Sequence, residues 1–300
     1  MRDNNSTLQL KRCGRLGLAV LAAGLGMMAA GCTQPVTIDP NTRLLDRPGP
    51  HAYSDQDWAA VLRDCVRDGL VNYAGLAAGR EPLDRYYALL GETGPSRTPD
   101  QFRSAAHATA YWINAYNAAV LLFVLEHFPA ETIYDENTPK IEAATFRVNG
   151  QVYTLPQMES KILQVSGGDV RALFATSRGA LGTPRLPAEP IRAATLEPQI
   201  ARAAADALNN PRILRIDQAG QQVLVWQVVL AHRDDFERYY CARHRAAKPP
   251  LLSVLMVMAS AERRGALGVA AGYPLRTMPF GWQLNNCATG AAVGERPLVP

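Results

Sequence analysis

From Ala105 to Phe128 the chain reads AAHATAYWINAYNAAVLLFVLEHF, with no formal charge before Glu126. A helix of this composition has no face suited to water, so other elements must surround it on most sides. Alanine recurs from Ala105 to Ala119, and small side chains let neighbours approach closely. The loop GETGPSRTP precedes the run and Pro129 follows it. The expected helix therefore begins near Pro99 or Asp100 and ends near Phe128, in the middle of the fold.

Two asparagines and two tyrosines stand inside this apolar run, in the stretch YWINAYNAAV from Tyr111 to Val120. At helical spacing His107, Tyr111 and Asn114 share one face, and Asn117 lies on an adjoining side. Buried polar groups need partners. An asparagine offers both donor and acceptor, which suits it to hold irregular backbone. The line is thus either a hydrogen-bond clamp or one wall of a cleft, and the clamp is the simpler reading for Asn114, Asn117 and His107. Glu159 occupies a boundary position beside Met158, Ile162 and Leu163, where it can accept bonds from the central helix or from Arg171.

The rest of the chain predicts an α+β fold, a single domain with the long central helix, several further helices and short antiparallel β-hairpins. SDQD at 54–57 has the form of a capping box, with Trp58, Val61, Leu62, Cys65 and Val66 at helical spacing behind it. VNYAGL reads as a short extended piece or turn, and Leu83 to Leu90 as a helix. Asn149-Gly150 between alternating runs is a strong hairpin signal. Thr154, Pro156 and Gln157 then start the next helix. A helix is expected from Pro198 to Leu208, a second hairpin around DQAGQ, and a last long helix from Leu251 to Leu267. YPLRTMPFGWQLNN reads as an extended closing segment.

The N-terminus has the pattern of a lipoprotein signal peptide over residues 1–32. Arg2, Lys11, Arg12 and Arg15 precede an uncharged apolar stretch that ends in Ala29-Ala30-Gly31-Cys32. That pattern makes Cys32 the expected lipidation site, and Thr33-Gln34 after it favour an outer-membrane lipoprotein facing the periplasm. Residues 33–54, rich in Pro, Asp and Arg, read as a tether. Residues 55–286 form the expected domain and 287–300 a C-terminal tail. Loss of the leader removes those four basic side chains and Asp3, so the formal net charge falls from +4 to +1. Such a balance gives no case for nucleic-acid binding. No run after the leader is expected to span a membrane. Cys65, Cys241 and Cys287 remain, an odd number. Three isolated cysteines read first as buried small residues; in an oxidising compartment one disulfide and one free thiol also fit them, and Cys241 with Cys287 is then the expected pair. The five histidines are scattered without metal-ligand spacing, so neither metal nor cofactor is expected.

The chain resembles DUF547, a domain family of unknown function found in bacteria and, in plants, beside a leucine-zipper segment. VNYAGL at 71–76, YWINAYNAAV at 111–120 and FRVNGQVYTLPQMESKIL at 146–163 carry most of the resemblance, with Glu159 at the family's glutamate. NNPRILRI, DDF at 234–236 and PFGWQLN at 279–285 are similar to later blocks, so it covers roughly residues 55–286. Many members carry a cysteine in a loop ending S-C-P-x-L and a histidine after the glutamate, which invites comparison with thiol peptidases. Here the loop is LFATSRGALGTPRLP, with Thr183 before Pro184, Thr176 or Ser177 where an earlier cysteine falls, and Ser160 after Glu159. Ser177 or Thr183 would serve as a nucleophile only beside a base, for which His107 and His232 are the candidates. The preferred expectation is a lipid-anchored binding or envelope-maintenance protein. A pocket lined by Asn114, Asn117, Glu159 and Arg185 would hold a peptide or small polar ligand. The alternative is a hydrolase or acyl-transfer enzyme with a replaced nucleophile.

Overall fold

The computed structural model describes residues 37–41, 45, 51–129, 132, 140–244, 249–279 and 281–287. The expected leader with Cys32, most of the tether and the tail beyond Cys287 lie outside them.

Ser104 starts the central helix. Its hydroxyl accepts the backbone N–H of His107 and caps Ala105–Glu126, numbered α4 below. Pro99–Gln101 forms a separate 3-10 turn. The helix therefore begins later than expected, because Phe102 turns inward to pack against Tyr53 and Tyr111. Every residue of α4 from Ala108 to Leu125 is buried. By length and composition α4 could cross a membrane, contrary to the sequence expectation, but it is wholly enclosed by its own domain.

Among the described residues three helices lie N-terminal to it: α1 (Gln56–Cys65), α2 (Tyr73–Ala78) and α3 (Glu81–Glu92). The capping box expected at α1 does not form. Asp57 is drawn away to Arg85 of α3 at 2.7 Å, and the Ser54 hydroxyl takes only the N–H of Gln56. VNYAGL is mostly helical, since the Asn72 side chain caps α2 by accepting the Gly75 N–H.

Three small sheets complete the frame. Strand β1 (Thr37–Ile38) lies parallel to β4 (Thr145–Val148), which pairs antiparallel with β5 (Gln151–Thr154). Strands β2 (Val66–Arg67) and β3 (Leu70–Val71) form a second, short hairpin. Strand β6 (Leu214–Asp217) pairs antiparallel with β7 (Gln222–Val225), and β8 (Leu275–Thr277) adds to β7 in parallel. The Asn149-Gly150 turn has φ values of 53° and 72°, the doubly left-handed backbone that matches strand twist in a two-residue loop. Two of the sheets thus contain a hairpin extended by a distant parallel strand, rather than a hairpin alone. One of these added strands comes from the stretch read as a tether. Thr37 and Thr145 hydroxyls bond at 2.8 Å, and Tyr87 donates to the Ile38 carbonyl.

Behind the first hairpin, α5 (Leu155–Val165) has the full capping box of Thr154 and Gln157. A 3-10 run at Val170–Ala175 and a short turn at Ala193–Thr195 lead to α6 (Leu196–Asn209). After the second hairpin come α7 (Gln227–Ala231), α8 (Arg233–His244), α9 (Leu251–Met258) and α10 (Ala261–Val269). The expected last long helix is two helices, because Ser260 breaks the run and caps α10 through the Arg263 N–H.

The α+β domain has two apolar clusters. One surrounds α4 and draws on α1, α3, β4 and α5. The other is formed by the 3-10 run, α6, β6, β7 and α7 to α10. Cys65, Cys241 and Cys287 are free thiols, so the expected Cys241–Cys287 bridge is not formed.

Candidate functional site

Both asparagines of α4 hold backbone. Asn114 Oδ1 accepts the Ile191 N–H at 2.9 Å and the Trp58 indole N–H at 3.3 Å, while its amide donates to the Ile191 carbonyl at 2.8 Å. Asn117 Oδ1 accepts the Ser177 N–H at 2.9 Å, and its amide donates to the Ala175 carbonyl at 2.9 Å. Each pairs with chain as a strand neighbour would, and both are 1% exposed. Tyr111 donates to the Leu90 and Thr93 carbonyls. His107 is exposed at the helix start, where its Nδ1 lies 2.7 Å from the Ser104 hydroxyl. The polar line is therefore a set of loop clamps that ends in solvent.

A third clamp was not foreseen. Asn285, from the closing PFGWQLN segment, accepts the Tyr73 hydroxyl at 2.8 Å and donates to the Gly69 carbonyl at 3.1 Å. Its own N–H reaches Gly179, which ties the closing segment to the loop after the 3-10 run.

Tyr116 points elsewhere, toward a buried ionic cluster. Its hydroxyl donates to Glu159 Oε1 at 2.9 Å and accepts Arg178 Nε at 3.1 Å. A second Arg178 nitrogen donates to the same Glu159 oxygen at 2.7 Å, and a third lies 3.3 Å from Glu142. The other oxygen of Glu159 faces His232 Nε2 at 3.4 Å, and His232 Nδ1 faces Asp235 at 3.0 Å. Arg238 closes the outer end of this chain by pairing with Asp235. Glu159 thus accepts from the central helix as expected, but its cation is Arg178. Arg171 is taken by Asp169 and Glu197 instead. Nothing near Arg178 in sequence marks it, since its partners come from three distant segments.

Burial alone would raise the Glu159 carboxyl, but the His232 bond, the Arg178 charge and bonds and the Tyr116 hydroxyl together hold it below the usual range. Its bond to Glu159 raises His232 above the ordinary imidazole value, against the opposing effect of burial, and Asp235 adds to the rise. Burial opposes the charge of Arg178, but Tyr116 and Glu159 more than offset it and raise the guanidinium.

The hydroxyl candidates are engaged locally. Thr183 donates to the Ala180 carbonyl at 2.8 Å and lies 3.4 Å from the Ser177 hydroxyl, both residues being buried. Thr176 bonds the Leu173 carbonyl. Ser160 is exposed and bonds Pro156. Among the described residues, no histidine is hydrogen-bonded to any of these hydroxyls, and no group of three or more His, Cys, Asp or Glu side chains is placed to hold a metal ion.

Arg185 lies apart from the clamps and the ionic cluster. It borders an open cavity of about 440 Å³ whose floor includes Phe174, Leu186 and Ile191 and whose far wall is α6. Arg202 on that wall and Asp206 beside it also face the cavity. Gly69 makes the approach possible, because a Cβ there would fall 2.5 Å from that of Arg185.

Fold and site together define an α+β domain whose apolar central helix fastens irregular loops through a few buried polar side chains. Residues 100–207 match the family described as "Protein of unknown function, DUF547", the family that the sequence resembles. The match includes α4, α5 and Arg178 but ends before His232 and Asp235. No curated protein and no solved structure matches the chain.

Proposed function

We propose that the protein is a lipid-anchored binding protein of the cell envelope, held by Cys32 and facing the periplasm. The observation that carries the binding reading is the contrast between Arg185 and the other three candidates. Asn114, Asn117 and Glu159 are sealed in internal bonds, whereas Arg185 has no ion-pair or hydrogen-bond partner among the described residues and borders an open cavity. Arg202, Asp68, Glu189 and Asp206 line the same cavity, and among the described residues none of the four has an ion-pair partner. Charges of both signs over an apolar floor suit a short zwitterionic peptide better than a purely anionic or apolar ligand. Hydrolysis is the less supported reading, because it needs a nucleophile within hydrogen-bond reach of a base.

Fluorescence polarisation with a labelled tetrapeptide of alternating lysine and glutamate, with a free C-terminus, tests the groove. Saturable binding weakened about tenfold or more in Arg185→Ala supports it, since one charge-assisted bond contributes about 1.5–3 kcal/mol. Equal binding by both proteins removes Arg185 from the ligand site. The anchor is tested separately. Cys32→Ala should move the protein from the membrane fraction to the soluble periplasm.

A further inference from the structure

We propose that His232 is a protonation-controlled latch across the seam between the two apolar clusters, and that it regulates the groove that opens on the same seam. His232 stands between α7 and α8, whose Val228, Val229, Phe236 and Tyr239 belong to the second cluster. Glu159 comes from α5, whose Leu155, Met158 and Ile162 belong to the first and whose Leu163 reaches the second. Their contact at 3.4 Å joins the two clusters through a side-chain pair. Arg178, which grips the same carboxylate, begins the loop that carries Arg185 and ends at the Asn114 clamp on Ile191. The groove runs from that loop, whose Leu186 and Ile191 belong to the first cluster, to α6, which gives Ala204, Ala207 and Leu208 to the second cluster and Ile200 to the first.

The chemistry makes this contact switchable. An imidazolium donates from both ring nitrogens, one to Asp235 and one to Glu159. A neutral ring keeps a single N–H and turns a lone pair on one of the carboxylates. The charged groups around it are Glu159 from α5, Asp235 from α8, and, one bond further out, Arg178 with Glu142 and Arg238. Proton loss leaves Arg178 alone against Glu159 and Glu142 on the inner side.

The direction follows from linkage. A folded-state value raised above the unfolded one contributes stability that is complete below about 6.5, the unfolded imidazole value, and lost as pH rises through the raised value. The latch is therefore closed in mildly acidic solution and released as pH rises through that raised value.

Hydrogen-exchange protection factors for α7 and α8 of the intact protein, corrected for intrinsic rates, test the latch from pH 5.5 to 8.5. Protection should fall with rising pH by at most tenfold per unit, and the fall should vanish in His232→Gln. Asp235→Asn removes one flanking carboxylate without touching Glu159 and should move the fall to lower pH. A profile shared by the wild type and both variants overturns the proposal. So does a His232 ring, followed by NMR, that titrates at or below 6.5. Regulation of the groove rests on the binding reading above and is measured by tetrapeptide affinity across the same range. Absence of peptide binding at every pH defeats the groove reading and its regulation, while the exchange data still decide the latch.

Discussion

The asparagine clamps and the ionic cluster do the same mechanical task with opposite chemistry. Asn114 and Asn117 fix loops to α4 through neutral amides, each satisfying both a donor and an acceptor on the chain it holds. Glu159, Arg178 and His232 fix a loop and a helical turn to α5 through charges, with side chains 3%, 6% and 16% exposed. Neutral clamps do not titrate between pH 5 and 8. The charged one contains an imidazole, whose ordinary value lies in that range and is raised here, and it lies where two apolar clusters meet. A permanent joint and an adjustable one can therefore be told apart by the type of group that makes them.

Substitutions can break this comparison. The largest effect is expected for Glu159→Gln, which leaves Arg178 charged and buried without its main partner. Loss of about 3–5 kcal/mol in urea unfolding is the expected cost. A cost below about 1 kcal/mol would mean that the cluster contributes little to holding the seam. Asn114→Leu comes next. It leaves the Ile191 N–H and carbonyl and the Trp58 N–H without this partner, so about 2–4 kcal/mol is expected. The cost should be the same at pH 5.5 and pH 8, and a strong pH dependence would end the distinction between the two joints. Thr154→Ala removes a cap that belongs to neither joint and should cost about 1 kcal/mol. Smallest in thermodynamic terms is His232→Gln once the pH exceeds the raised value of the wild-type ring. The wild type should exceed the variant in Tm at pH 5.5, and the difference should shrink as pH rises.

The same division runs between what could be read from the sequence and what could not. Features encoded within a few residues were legible. An uncharged apolar run rich in alanine reads as a helix that other elements must surround, Asn149-Gly150 can adopt left-handed backbone cheaply, and Thr154 and Gln157 lie three residues apart, as a capping box requires. Local signals failed where a distant group competed for the same side chain. Asp57 left its capping box for Arg85, and Phe102 turned inward and delayed the start of α4. Glu159 was placed correctly at a boundary and in reach of the central helix, but its cation was misassigned because Arg171 meets Asp169 and Glu197 first.

By itself, then, the sequence determined the α+β class, the central helix, both longer hairpins, and the need of Asn114 and Asn117 for partners. Only the tertiary structure decided which partners those are. It set β1 and β8 in parallel on distant hairpins, brought Asn285 to Gly69 and Gly179, and gathered Tyr116, Glu159, Arg178 and His232 from four separate segments. The physical reason is range. Backbone preference and capping act within a turn or two, whereas a buried charge or amide takes whichever partner the packed chain brings within about 3 Å.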